Sequence, residues 1–278
     1  MFLRAAVVVM LLLLPLPSRA DENDDVITAL AERVGASVVR LGMFQADDQQ
    51  GHGTGFFISA DGLVVTNHHV VDHPGGEFFA VFRDGSRKKV LGSLALDEEH
   101  DLAILRVEGS GYPALELAPP DGVKTGQRVV LIGSPFGFDQ SVGVGTVSAV
   151  RPDYPDELKK RWEKANKKVE KGPIVQHSAA SGPGASGSPI VDLAGKVVAV
   201  NHSGYDGSQT YFGAHVDALR ALIAATDLKA EPRPLGHDVN KNLLISGAFF
   251  AVLALVFVVV PAIQNMLRRN RRRHLDVA

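Results

Sequence analysis

The chain has 278 residues, no cysteine, 45% hydrophobic and 22% charged side chains, and a formal charge of −2. That length can bury one large core or two small ones, and the near-neutral balance gives no global pull toward nucleic acid or anionic lipid. Without cysteine, disulfides, thiolate chemistry and cysteine-based zinc sites are excluded.

Residues 1–20, MFLRAAVVVMLLLLPLPSRA, set Arg4 before an apolar stretch that begins at Ala5 and ends in prolines and small residues. This is the build of a secretory signal peptide, with Ser18-Arg19-Ala20 as the cleavage site ahead of the acidic DENDD. The alternative, an uncleaved anchor, is disfavoured by the shortness of the apolar run. Residues 26–41, VITALAERVGASVVRL, begin at helical spacing and become β-rich at SVVRL. Next, GTGFFISADGLVVTN flanks Asp61-Gly62 with apolar residues, which predicts a hairpin closed by a tight primed turn.

That hairpin runs into His68 and His69. Zinc helix motifs space histidines four apart so that both imidazoles reach one ion, whereas adjacent residues diverge in a strand or a helix. His52 and His73 could assist, but no spaced ligand set such as HExxH is present, so no metal is expected. The pair then reads as one catalytic base beside a bystander, or as polar residues of a turn. In DEEHDLAILRV, Asp97, Glu98 and Glu99 read as solvated loop charge. Asp101 opens the apolar run, where an unpaired carboxylate would be costly, and an imidazole N–H would serve as its partner.

Short apolar segments continue as FFAVF, KKVLGSLAL, LAILRV, RVVLIG, GVGTVSAV, GPIVQHS, SPIVDL, GKVVAVNH and TYFGAHV, separated by Gly, Asp, Asn and Pro turns. Many short strands with few helices predict an all-β barrel or sandwich. The exception is 156–171, DELKKRWEKANKKVEK, where Leu158, Trp162, Ala165 and Val169 recur at helical spacing after Pro155-Asp156. This inserted amphipathic helix reads as a lysine-rich face docked on the barrel, or as a gate or partner-docking arm. SGPGASGSPI then frames Ser186 with glycines, which permit a sharp turn and bring amide N–H groups close to a substrate oxygen. The α/β-hydrolase frame would need glycine where Ser188 stands.

From Leu243 to Ile263 the chain carries no charge and, at 1.5 Å per residue, reaches about 30 Å as a helix. The arginines that follow in NMLRRNRRRH mark the cytoplasmic side of a membrane span. The expected organisation is therefore a signal peptide (1–20), an exported domain (21–230), a linker (231–242), a transmembrane helix (243–264) and a basic cytoplasmic tail (265–278). The absence of cysteine suits a bacterial envelope, with the domain in the periplasm.

Together, TGFFISADGLVVTNHHVVD, DLAILRV, VVLIGSPFGFDQSVGVGTVSAV and SGPGASGSPIVDLAGKVVAVN resemble the trypsin-like serine proteases, and among these the bacterial HtrA/Deg branch. The resemblance runs from about Gly53 to Val216 in the chain order His, Asp, Ser. It implies two six-stranded antiparallel β-barrels, to which the helical insert and the C-terminal transmembrane helix are added. It implies a serine endopeptidase without cofactor, acting on proteins or peptides outside the cytoplasm, in envelope quality control. It implies His69 as base, Asp101 as its orienting carboxylate, Ser186 as nucleophile, and an oxyanion hole from the backbone of Gly184, Ala185 and Ser186. In the family's wall positions, His202 and His215 become candidates for a substrate pocket that favours acidic P1 residues.

Some features depart from the family pattern. GASGS replaces the usual GNSGG, and Ala185 stands where zymogens need an aspartate. A following PDZ domain is not expected, since the span begins within about thirty residues of His215. Relatives of this type often form trimers, but their N-terminal aromatics have no match in DENDDVITALAERV. The reading from another class is an inactive protease fold that serves as a binding or scaffold module at the membrane.

Overall fold

The computed structural model describes residues 19–235, apart from 46–47, 74–76, 139, 166–168 and 205–207. A helix α1 (Arg19–Gly35) leads into β1 (Val38–Gln45), so the change from helical to β-rich pattern falls where the sequence places it. The first barrel continues with β2 (Asp48–Phe57), β3 (Leu63–Thr66), a one-turn helix α2 (His68–Val71), β4 (Glu77–Val81), β5 (Arg87–Asp97) and β6 (Leu102–Val107). The second comprises β7 (Arg128–Gly133), β8 (Ser141–Arg151), β9 (Ile174–His177), β10 (Pro189–Val191), β11 (Val197–Gly204) and β12 (Tyr211–His215). Helix α3 (Asp156–Lys164) is inserted between β8 and β9, and α4 (Val216–Ala225) follows β12. Each barrel closes from six strands, in the orders β1-β2-β3-β6-β5-β4 and β10-β11-β12-β9-β8-β7.

Side-chain alternation explains why several strands are apolar on both faces. Val39, Phe57, Val64 and Ala103 fill the interior of the first barrel, and Val129, Leu131, Ile190 and Val198 fill the second. Their neighbours Val38, Phe56, Val65, Leu102, Val130, Ile132, Val191 and Val197 face outward into one shared apolar layer. Strands with both faces buried read as continuous apolar runs rather than as alternating ones. Helix α1 adds Leu30 and Val34 to that layer, and α4 adds Ala218 and Leu219. The layer binds the two barrels together and places the loops between them at a defined junction.

Three local expectations are corrected. The β2–β3 turn is not primed, because of Asp61 and Gly62 only Gly62 takes a positive φ, +93°. The turn spans Ser59–Gly62, and a side chain at Gly62 would lie 2.4 Å from the Val107 carbonyl oxygen. The helix expected over 156–171 closes at Lys164, and Ala165 is exposed rather than on the apolar stripe. Leu158, Trp162 and Val169 do pack together, against Tyr154, Ile174 and Phe212. Finally, the domain does not finish at 230. Ser93 and Arg233 exchange two backbone hydrogen bonds of 2.8 Å, which pin the following segment to β5.

Among the described residues no helix is long and apolar enough to cross a membrane. The segments read as signal peptide, transmembrane helix and basic tail lie outside the described residues.

Candidate active site

β3 ends at Thr66, and the buried Asn67 turns the chain into the single turn of α2. Successive residues of a helical turn diverge by about 100°, so His68 and His69 part company. His69 faces the junction between the barrels, where it lines a cavity of about 160 Å³ together with His52, Gly184 and Ser186.

Asp101 closes the β5–β6 connection in a left-handed conformation (φ +54°), which is uncommon for a residue other than glycine. Its environment holds it there. Oδ2 lies 2.7 Å from His69 Nδ1, Oδ1 accepts the His69 backbone N–H at 2.9 Å, and its carbonyl accepts from Asn67 Nδ2 at 2.8 Å. Burial pushes the Asp101 carboxyl up, but the His69 hydrogen bonds and charge outweigh that and hold it below the ordinary carboxylate range. The carboxylate expected to need a partner has found an imidazole.

Ser186 lies on the β9–β10 loop of the other barrel, and a threonine missed by sequence reasoning ties that loop across the junction. Thr54 donates its backbone N–H to the Ser186 carbonyl (2.8 Å) and its Oγ1 hydrogen to the Gly184 carbonyl (2.9 Å). Thr54 Oγ1 also accepts the Ser134 N–H at 3.0 Å, while Thr66 Oγ1 donates to the Thr54 carbonyl at 2.7 Å. The signal was there: a small hydroxyl residue amid the apolar strand TGFF is buried and must find partners.

The loop itself is shaped by glycine. Gly184 has φ +93°, and a side chain there would sit 2.4 Å from His52 Nε2. Ala185 does not belong to the oxyanion-binding set, because its N–H donates to the Gly182 carbonyl at 2.9 Å. Among the described residues the Gly184 and Ser186 N–H groups have no backbone acceptor, so they keep the capacity to bind an anion. The Ser186 hydroxyl donates to the His202 carbonyl at 3.4 Å. Ser188, the departure from the usual glycine, is buried against Gly133, where a side chain would come within 1.9 Å of Ser188 Oγ. The extra hydroxymethyl group is accommodated by a glycine on the facing strand.

Of the two candidate pocket histidines, His202 is among the residues lining a cavity of about 360 Å³ beside Ser186, and His215 is not. His202 sits where the pairing of β11 with β12 is irregular, between Asn201 and Ser203, and its Nε2 lies 3.0 Å from Tyr154 Oη. Its ring belongs to a group in which ligating atoms of Asp101, Glu170 and His202 lie within 4.8 Å of one another. Burial drops the His202 pKa to about 4, with Asp101 opposing that shift. Tyr154 in turn is gripped by Trp162 (ring centroids 5.0 Å apart) and Phe212 (5.2 Å). Helix α3 is thus docked on the barrel and braces the far side of the Asp101–His69 pair. His215 caps α4 by accepting the Asp217 N–H on Nδ1 at 3.1 Å, away from the cavities flanking Ser186.

Two closed antiparallel barrels, with a carboxylate–imidazole pair on one facing a glycine-framed serine on the other, define the class of trypsin-like peptidases. The chain belongs to that family: the model for the trypsin-like peptidase domain matches residues 53–200, more than half of the chain. More particularly, it is similar to the probable periplasmic serine endoprotease DegP-like of Marinomonas sp. (strain MWYL1), 37% identical over 212 residues, covering 72% of this chain and 42% of that protein. The corresponding protein of Ectopseudomonas mendocina (strain ymp) is 36% identical over 207 residues, covering 70% and 40%. The chain therefore spans about two fifths of the length of these curated relatives. Among solved structures, an HtrA-type protease, AlgW with tripeptide, aligns with TM-score 0.59 and 27% identity over 71% of this chain and 62% of that one. A serine endoprotease from Yersinia pestis, at 18% identity and TM-score 0.60 over 76% of this chain and 67% of that one, shares the fold.

Proposed function

We propose that the chain is a serine endopeptidase that cleaves protein substrates outside the cytoplasm while held at the membrane. The observation that carries this reading is the 2.7 Å Asp101–His69 pair opening onto the cavity that Ser186 also lines. Ser186 Oγ attacks the substrate carbonyl while His69 Nε2 takes its proton, and Asp101 stabilises the imidazolium and fixes its tautomer. The N–H groups of Gly184 and Ser186 receive the oxyanion. The same proton passes to the departing amine, and water then hydrolyses the acyl-enzyme by the reverse sequence of transfers. Each oxyanion donor is worth about 3 kcal/mol of transition-state stabilisation.

Export is supported by the leader at 1–20 and by the word periplasmic in the relatives' names. Anchoring is supported by the charge-free stretch at 243–263 and the arginines beyond it. Envelope proteins that have lost their native packing are the substrates this location favours. The test is labelling with a fluorophosphonate probe, which should modify the native chain and leave Ser186→Ala unmodified. A native chain that resists the probe, or equal labelling of both, would return the fold to the role of a scaffold.

A further inference from the structure

Ser186 separates two cavities. One is the space shared with His69; the other, about 360 Å³, is lined by Ser181, Asn201, Ser203, Ser208 and Tyr211 among others. The base that protonates a leaving amine must face it, so the His69 side takes the leaving group. The larger cavity then receives the P1 side chain of the acyl half. This step rests on the hydrolase reading above.

The wall of the larger cavity is a directed chain of hydrogen bonds. The Ala185 carbonyl can only accept, so its 2.9 Å contact fixes the Asn201 amide with Nδ2 toward it, and Nδ2 gives its second hydrogen to Ser181 Oγ at 3.0 Å. Asn201 Oδ1 then faces His177 Nε2 at 3.2 Å, which must carry a hydrogen. His177 is fully buried and stacked on Tyr211, with centroids 5.7 Å apart, and its burial lowers its pKa to about 4. The ring is neutral, with its one hydrogen committed to Asn201. Because Ser181 Oγ accepts from Asn201, its own hydrogen is left to donate, and among the described residues no acceptor takes it. Among the described residues no Lys, Arg, Asp or Glu lines the cavity.

We infer that the larger cavity is a P1 pocket for uncharged side chains ending in a carbonyl oxygen, glutamine foremost, with Ser181 as the specificity-determining donor. An aliphatic P1 side chain leaves the Ser181 hydrogen unmet, and a carboxylate finds no cation in the lining. The pocket histidine that matters is therefore His177, which acts at second hand by orienting Asn201.

The test is a peptide series differing only at P1 (Gln, Glu, Leu, Val), cleaved by the native chain, Ser181→Val and Ser181→Thr, with fluorophosphonate labelling of Ser186 in each. The native chain should give the highest kcat/KM for Gln. Ser181→Val should lower the Gln-to-Leu ratio about tenfold, and Ser181→Thr, which keeps the hydroxyl, should hold it within about twofold. Labelling should proceed in all three, which shows a folded site. A native preference for Leu, Val or Glu overturns the assignment, as does an unchanged ratio in Ser181→Val or labelled enzyme that cleaves no Gln peptide. Loss of labelling in the native chain instead defeats the hydrolase reading itself.

Discussion

Replacing Asp101 with asparagine changes only one atom of the side chain, and the structure determines how the new amide must lie. The His69 backbone N–H, 2.9 Å from Oδ1, can only donate, so the amide oxygen takes that place. The amide nitrogen is then left opposite His69 Nδ1, at the 2.7 Å position now held by Oδ2. A donor there forces Nδ1 to be the acceptor and moves the ring hydrogen to Nε2, the atom that should receive the Ser186 proton. The geometry survives while the base presents the wrong tautomer, a change that costs about 10⁴-fold in kcat. At 1.36 kcal/mol per tenfold this is about 5.4 kcal/mol of barrier. The assay is kcat on a cleaved peptide at pH 8, with a urea melt to establish that the variant is folded. A folded Asp101→Asn enzyme within tenfold of native would refute the argument, since the tautomer would not be under Asp101's control.

Other outcomes follow from the same contacts. His69→Ala should abolish hydrolysis, whereas His68→Ala should leave most of it; equal losses would show that the pair has been wrongly divided. Thr54→Val keeps the shape but strands the Ser134 N–H and releases the Gly184 carbonyl, costing about 1–3 kcal/mol of stability by urea melt. It should also lower kcat more than it raises KM, since it loosens the loop that carries the nucleophile. His177 and His202 are neutral in the fold, with pKa values lowered from about 6.5 to about 4. The unfolded chain therefore binds more protons between these values, so stability is full above pH 6.5 and falls as pH drops toward 4. The slope approaches about 2.7 kcal/mol per pH unit for the two histidines, and a flat profile from pH 7 to 5 by urea titration would contradict their burial as neutral rings. Ending the chain at 242 should release the enzyme from carbonate-washed membranes with activity intact, and retention in the pellet would argue against residues 243–264 as the anchor.

Much of the fold was readable because short β-rich runs and turn residues report local preference directly. RVVLIG and GKVVAVNH were legible as strands, and the structure shows them buried on both faces. The primed turn failed because Asp61-Gly62 sits against Val107 in a neighbouring strand, a contact of high sequence separation. The helix over 156–171 was overextended because its apolar spacing continued through Val169, which joins the Tyr154–Trp162–Phe212 cluster without being helical.

For the site, residue type pointed to Asp101, a carboxylate in need of a partner, and to the glycine-framed Ser186, while the choice of His69 over His68 came from the resemblance to the trypsin-like proteases. The first two signals are local and leave their mark in sequence. What only tertiary structure decided was direction. His202 meets Tyr154 while Asn201 bonds Ser181 and Ala185, a helix start claims His215, and the Gly182 carbonyl claims the Ala185 N–H. A side chain's chemistry is written in the chain, but its partner is set by which strand folds opposite it.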